Sequence, residues 1–205
     1  MCSRPGRRCI ERAREDVRAR VAAEGRDETD EFVEDVASAV GIGAVKYADL
    51  AMNRNSNYRF AFDKMLSLSG NTAPYMLYAY ARIRGIERKA ATAVGGSADS
   101  GTDGGASPVR AEELCLDAPT ELALGRHLLK FADVVRDVEA DLLPSKLCEY
   151  IFELSGKFNQ FYESCPVVSA ETAELQRSRL ALCGLSASVL RLSLGLLGIR
   201  TLERL

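Results

Sequence analysis

Residues 144–165 read "PSKLCEYIFELSGKFNQFYESC", and their apolar side chains recur at the spacing of an α-helix. A helix places residues three and four positions apart on the same side, so one apolar face runs through the whole stretch. Pro144 fits the first turn of this helix, where its missing N–H group is not needed. The face must pack against other helices, and it consists of Leu147, Tyr150, Ile151, Leu154, Phe158, Phe161, Tyr162 and Cys165.

Amphipathic helices are also predicted on both sides of this stretch. Before it, residues 121–140 place four apolar side chains on one face. After it, "SAETAELQRSRLALCGLSASVL" (169–190) opens the last long helix, with Ser169 as the N-cap and Glu171 and Glu174 at the positive end of the helix dipole. Long amphipathic helices joined by short connections indicate a mostly α-helical bundle. The two predicted faces are Leu128, Phe131, Val135 and Val138, and then Leu175, Leu182, Leu185, Val189, Leu192 and Leu196.

The first third of the chain is predicted to be helical up to a short strand. Thr29 or Asp30 serves as the N-cap of a helix that ends at Gly41 and Gly43, and residues 44–55 form a further short helix. "YRFAFD" (58–63) alternates aromatic residues and is predicted to be a strand. Residues 91–110 are rich in Gly, Ser, Ala and Asp, which predicts a mobile surface loop.

The composition excludes several classes of function. The 205 residues include 27 Lys and Arg against 29 Asp and Glu, so a site for a polyanion must be a local patch. Arg191 interrupts the long apolar run near the C-terminal end of the chain, which disfavours a membrane span. Six cysteines without a C-x-x-C pair and one histidine, His127, indicate neither a zinc site nor a disulfide framework.

The stretch "GNTAPYMLYAYARIRGIERK" (70–89) carries the most distinctive surface. At about 100° per residue, five side chains fall within an arc of about 80°, beside an apolar arc. Aromatic rings stack on unpaired bases and cations bind phosphates, so this stripe suits single-stranded nucleic acid. The alternative is that the tyrosines pack into the bundle and the cations form a solvated face. The stripe is Tyr75, Tyr78, Arg82, Gly85 and Lys89, and the apolar arc is Met76, Ala79, Ile83 and Ile86.

The segment before this helix is predicted to be a compact loop. In "SLSGNTAP" (67–74), Thr72 is the candidate N-cap and Pro74 lies near the first turn. The loop is either an ordered recognition element or a plain connector. "KMLSLS" (64–69) lacks the second lysine of a Lys-Met-Ser-Lys-Ser phosphate loop, and the chain has no Gly-rich phosphate-binding motif and no nucleophile–histidine site.

Four strings closely resemble the C-terminal part of arginyl-tRNA synthetases, over roughly residues 28–205. They are G-A-V-K-Y-x-D-L (43–50), G-N-T-A-P-Y (70–75), F-x-x-F-Y-E-x-C-P-V (158–167) and L-L-G-I-x-T-x-E-R (196–204). The resemblance implies a remnant of the catalytic core over residues 1–66 and a helical anticodon-binding (DALR) domain over residues 67–205, with a flexible insertion at 91–110. It places residues 67–72, Tyr75, Tyr78 and Arg82 where the anticodon loop docks.

The resemblance also implies the partner, the cofactor and the site. The partner is arginine tRNA, and the full-length enzyme uses ATP with magnesium, whereas this stretch is expected to hold no cofactor or catalytic residue and to be inactive alone. We expect a monomer in the cytoplasm, with plastid or mitochondrion as alternatives, and neither DNA nor a membrane as partner. Leu77 stands where the family commonly has Gln, and Leu205 stands where many members have Met. The implied tRNA-binding set is Ser69, Gly70, Asn71, Thr72, Tyr75, Tyr78, Arg82, Lys89 and Leu205.

A rival hypothesis assigns the chain to another class of protein. A non-catalytic helical adaptor would present an apolar groove to a protein partner, and the basic stripe would then be only a solvated face. A stand-alone tRNA-binding module is a further alternative.

Overall fold

The computed structural model describes residues 4–54, 56, 61–93 and 114–205. In these residues, the regular secondary structure consists of consecutive helices. These residues contain no strand, and the predicted mostly α-helical bundle is confirmed. The elements are α1 (Arg4–Ala23), α2 (Asp30–Leu50), α3 (Phe62–Met65), α4 (Ala73–Ala93), α5 (Pro119–Leu129), α6 (Phe131–Asp141), α7 (Pro144–Ser164) and α8 (Ala173–Leu196).

The first two helices form a hairpin in which α2 is longer than predicted. Thr29 is the N-cap, and its hydroxyl accepts a hydrogen bond from the backbone N–H of Phe32 at 3.2 Å. The predicted end at Gly41 and Gly43 is wrong, because α2 continues through both and absorbs most of the separate helix predicted at 44–55. Close packing explains these glycines: a Cβ atom on Gly41 would lie 2.7 Å from the Cα atom of Ile10. Glycine at this position lets α1 and α2 touch backbone to backbone.

Two other boundaries differ from the sequence prediction. The last two residues of the predicted strand, Phe62 and Asp63, begin α3, and residues 58–60 lie outside the described residues. The first three residues of the loop predicted at 91–110 are helical instead, because α4 continues to Ala93. Alanine favours helix, and the Thr92 hydroxyl donates to the carbonyl oxygen of Arg88 at 3.0 Å. The remainder of the predicted loop also lies outside the described residues.

The core lies where α2, α4, α7 and α8 meet. The predicted apolar arc of α4 is fully buried, and the predicted face of α7 is buried except for Tyr162, which is partly exposed. Pro144 occupies the first turn of α7, as predicted. The face predicted for residues 121–140 is divided, because these residues form two helices with a break at Lys130. Leu128 is buried on α5, whereas α6 buries no residue fully.

The last helix differs from prediction in both its start and its buried side. Thr172, rather than Ser169, is the N-cap, with its hydroxyl 3.2 Å from the backbone N–H of Leu175. Of the predicted face, Leu182 and Val189 are buried, but Leu185, Leu192 and Leu196 are more than half exposed. Small side chains point inward instead and let α8 pack closely; the hydroxyl of one of them, Ser186, donates to the carbonyl oxygen of Leu182 on its own helix. These small residues are Ser178, Cys183, Ser186, Ala187 and Ser193.

One described helix, α8, has the length and the apolar composition that a membrane span requires. Half of its apolar window is buried inside the bundle, and core helices pass the same test. The composition of α8 is therefore weak evidence for a span.

Candidate nucleic-acid interface

Four arginines from three parts of the chain meet around one cavity of about 320 Å³. The turn between α1 and α2 contributes one of them, α4 contributes two, and the segment after α8 contributes the fourth. We call this cavity the arginine cradle. Its lining consists of Arg26, Tyr78, Ala81, Arg82, Arg88, Arg204 and Leu205.

An aromatic ring and a guanidinium of α4 are accessible at this cavity. Tyr78 is 40 % exposed, and the guanidinium of Arg20 on α1 lies 5.8 Å from the centroid of its ring. The Arg82 guanidinium lies 4.8 Å from the ring centroid of Tyr162 on α7. Arg82 makes no ion pair with any described residue, so its N–H groups are available to a ligand. A ring that can stack beside an unpaired guanidinium suits a nucleotide, because it offers one group to the base and one to the phosphate.

Carboxylates organise the other arginines of the cradle. Arg26 donates from Nη2 to Glu28 at 2.8 Å and from Nη1 to Glu24 at 3.0 Å, and these hydrogen bonds raise the pKa of Arg26. Arg204 also donates to Glu28. The raised pKa keeps the Arg26 guanidinium charged at physiological pH.

Tyr75 has a different surrounding from Tyr78. Its hydroxyl accepts a hydrogen bond from Nδ2 of Asn159 at 2.8 Å, and its ring makes an edge contact with Phe152 at a centroid distance of 6.1 Å. Both partners belong to α7. The packing alternative therefore describes Tyr75, whereas Tyr78 remains open to a ligand, and the predicted stripe is split between these two surroundings.

The loop at residues 67–72 is ordered by its own hydrogen bonds. The Thr72 hydroxyl donates to the carbonyl oxygen of Ser67 at 2.6 Å, and the Ser67 hydroxyl accepts from the backbone N–H of Ser69 at 3.2 Å. Gly70 has a φ of 81°, a backbone conformation that is strained for residues with a Cβ atom and free for glycine. Such a loop presents Ser69 and Gly70 to solvent in a fixed shape.

A buried tyrosine fixes the far end of this loop. The single proton of the Tyr47 hydroxyl is shared between Oδ1 of Asn71 at 2.6 Å and the carbonyl oxygen of Cys148 on α7 at 3.0 Å. Burial raises the pKa of Tyr47, so the hydroxyl keeps its proton. Asn71 and Thr72 line a separate cavity of about 440 Å³ beside Tyr47, away from the lining of the arginine cradle.

Two further cavities adjoin the cradle. An apolar one of about 280 Å³ shares Arg26 and Leu205 with it and includes Leu68 of the loop, so Leu205 belongs to the walls of both cavities. The other is a shallow depression of about 550 Å³ that shares Arg88 with the cradle and includes Lys89. The loop and Lys89 thus reach the cradle through neighbouring cavities.

The structure brings together only part of the set implied by the sequence. Tyr78, Arg82 and Leu205 line the cradle itself, whereas the other members lie in the loop, in the depression or in the α4–α7 packing. Leu77 is fully buried, so no polar contact is made from that position. The sequence reasoning missed Arg26, Arg88, Arg204 and Tyr162. Arg204 and Arg88 stood inside quoted stretches without an assigned role, Tyr162 was assigned only to the packing face of its helix, and no local signal distinguishes Arg26.

Two protein-family models match this chain. The model described as "DALR anticodon binding domain" matches residues 76–205, and the one described as "tRNA synthetases class I (R), catalytic domain" matches residues 8–62. Arg26 lies in the second range and the other cradle residues lie in the first, so the cradle is built from both matched regions.

Relatives and solved structures agree with these matches. The chain is 55 % identical over 196 residues to a protein of Synechococcus sp. and 54 % identical to one of Synechocystis sp., both named "Arginine--tRNA ligase". These alignments cover 96 % of this chain but 31 % of each relative. Arginyl-tRNA synthetase structures from Plasmodium falciparum (TM-score 0.79, 35 % identity) and Thermus thermophilus (TM-score 0.78, 28 % identity) match 98 % and 97 % of the chain, and 33 % and 32 % of their own lengths.

Proposed function

This chain belongs to the DALR anticodon-binding domain family, and we propose that it is the anticodon-reading part of an arginine–tRNA ligase. The observation that carries the proposal is the arginine cradle, in which four arginines and the accessible Tyr78 line one cavity. Anticodon bases are unpaired and can stack on a ring, and the phosphates that link them bind guanidiniums. The net charge of −2 makes this local concentration of arginines distinctive.

We propose a division of labour along the chain. Residues 1–66 belong to the catalytic core of the ligase, and residues 67–205 form the domain that docks the anticodon. Arginylation, with its need for ATP and magnesium, is assigned to parts of the relatives that this chain does not span. Among the residues that the structure describes, no group of three His, Cys, Asp or Glu side chains could hold a metal ion.

One observation favours the rival function of a protein adaptor. Leu185, Leu192 and Leu196 are exposed on α8 at a spacing that places them along one side of the helix. Exposed apolar stripes of this kind often bind another protein. The cradle does not depend on this stripe, so the two functions can be separated by experiment.

The salt dependence of tRNA binding separates the two functions. We expect the affinity of the chain for an arginine-accepting tRNA to fall with salt at a log–log slope of about −2 to −3, because each single-strand phosphate contact contributes about −0.7 and the cradle offers four arginines. Fluorescence anisotropy at several salt concentrations measures the slope. An affinity that does not change with salt would reject the cradle as a phosphate site and favour an apolar docking surface.

A further inference from the structure

The segment that follows α8 crosses the bundle and ends at the arginine cradle. We call residues 198–205 the tail. Gly198 turns the chain with a φ of 69°, and its carbonyl oxygen accepts a hydrogen bond from Lys46 on α2. Ile199 and Leu202 are buried, so apolar contacts also hold the tail to the bundle. These contacts determine the path of the tail, and Leu205 also packs against the core, while polar groups hold Glu203 and Arg204.

Glu203 is the point at which the tail is bound to α4. Its Oε1 atom accepts from the Tyr80 hydroxyl at 2.7 Å, and its Oε2 atom accepts from Nε of Arg84 at 2.7 Å. Its carbonyl oxygen accepts from Nη1 of Arg88, a cradle residue, at 3.1 Å. Burial opposes the charge on Glu203, but the hydrogen bonds from Arg84 and Tyr80 outweigh it and lower the pKa of this carboxyl. Glu203 is therefore ionised at neutral pH.

Glu28 plays the matching part on the other side of the cradle. Its Oε1 atom accepts from Nη2 and Nε of Arg26 at 2.8 and 3.2 Å and also accepts from Arg204. Both guanidiniums lie over the ring of Phe32, at 5.7 and 5.4 Å from its centroid. Nη1 of Arg26 additionally donates to the carbonyl oxygen of Leu205 at 2.9 Å. One carboxylate thus gathers two arginines, and one of these holds the end of the tail.

These contacts hold three of the four cradle arginines in position. Arg88 is bound to the backbone of Glu203, and Arg26 and Arg204 are bound to the carboxylate of Glu28. Without such partners, four like charges around a cavity of about 320 Å³ would repel one another into solvent. Binding a phosphate would then require ordering long side chains first, which weakens affinity.

We propose that Glu203 and Glu28 are positioning residues for tRNA: they fix the tail and hold the arginine cradle ready for the phosphates of an unpaired loop. The proposal rests on the proposed function, because it assumes that tRNA binds at the cradle. Neither carboxylate touches the RNA in this account. Each acts through the arginines and the tail residues that it holds.

Preorganisation and simple electrostatic repulsion predict opposite effects on tRNA affinity when the charge of Glu203 is removed. A carboxylate beside a phosphate site repels RNA, so its removal would tighten binding if the charge alone mattered. Preorganisation predicts weaker binding, since the guanidiniums and the tail lose their fixed positions. The direction of the change in affinity therefore decides between the two accounts.

The test compares tRNA binding by the full 205-residue chain and its Glu203→Gln variant. Gln keeps the shape of the side chain but lacks the negative charge that strengthens the hydrogen bonds from Tyr80 and Arg84. We expect about tenfold weaker binding of an arginine-accepting tRNA and a shallower salt slope, with every molecule still able to bind. Glu139→Gln on α6 makes the same change in net charge outside the cradle, and we expect it to bind as the unchanged chain does.

Further measurements keep the proposal testable if Glu203→Gln lowers stability. Partial misfolding would reduce the fraction of active molecules and leave the affinity and salt slope of the remainder unchanged, which the binding stoichiometry reveals. Tyr80→Phe removes one hydrogen bond to Glu203 without changing any charge at neutral pH, because burial and the Glu203 carboxylate raise the pKa of Tyr80 to about 12. We expect it to weaken binding about threefold to fivefold. Unchanged or tighter binding by Glu203→Gln would overturn the proposal, whereas failure of the unchanged chain to bind tRNA would overturn the proposed function instead.

Discussion

Replacing Gly41 with alanine is expected to lower the free energy of unfolding by about 3 kcal/mol, close to the upper end of the usual effect of overpacking a core. The added Cβ atom would lie 2.7 Å from both the Cα and N atoms of Ile10, and helix backbone cannot yield as a flexible side chain does. The helices α1 and α2 would have to separate. In a domain of this size, thermal denaturation followed by circular dichroism should show a decrease of about 6–12 °C in Tm.

The glycine at position 156 provides a matched control. Gly156 also lies inside a helix, α7, but a Cβ atom there would meet nothing within 4 Å. Gly156→Ala should therefore raise stability slightly, by up to about 1 kcal/mol, because alanine favours helix more than glycine does. A Gly41→Ala variant as stable as the Gly156→Ala variant would show that the two helices do not touch as described.

The second large effect is expected at Tyr78. Tyr78→Ala should weaken binding of an arginine-accepting tRNA between about fivefold and a hundredfold, because each base stacked on an aromatic ring contributes about 1–3 kcal/mol. Tyr78 is 40 % exposed, so its removal should leave the helix content unchanged. Fluorescence anisotropy measures the affinity, and circular dichroism checks the helix content.

Two comparison variants separate stacking from other effects at Tyr78. Tyr78→Phe keeps the ring and removes only the hydroxyl, so its affinity should stay close to that of the unchanged chain. Arg82→Ala removes a guanidinium instead of a ring and should also make the salt slope less steep by about 0.7. If Tyr78→Ala and Arg82→Ala both bind as the unchanged chain does, the docking surface lies elsewhere on the molecule.

The sequence was most informative where the spacing of apolar residues within a single helix determined which side is buried. The apolar face of α7 and the apolar arc of α4 were predictable from helical periodicity alone, because burial follows the repeat of the side chains. The same reasoning misplaced the buried side of α8. Its leucines repeat as regularly as a core face, yet Ser186 and the other small residues point inward, and periodicity alone cannot show that a serine hydroxyl bonds to its own helix.

Contacts between distant segments explain the remaining errors. A glycine inside a helix can mark its end or a close crossing, and only the position of Ile10 shows that Gly41 marks a crossing. The site residues likewise divide into those that share one helix and those that only long-range contacts bring together. Tyr78 and Arg82 share one helix and were predictable from spacing, whereas Arg26 and Arg204 come from opposite ends of the chain. Glu28 brings these two arginines together, and no local pattern indicates that pairing.

We propose that the arginine cradle reads the anticodon. The most direct measurement is a titration of the chain against an arginine-accepting tRNA and against the same tRNA with a changed anticodon, at one fixed salt concentration. Phosphate contacts are identical in the two RNAs, so a difference in affinity reports on contacts with the bases. We predict at least about fivefold tighter binding of the native anticodon, as loss of one base contact weakens binding by about 1–3 kcal/mol. Equal affinities for the two tRNAs would show that the cradle does not read the anticodon.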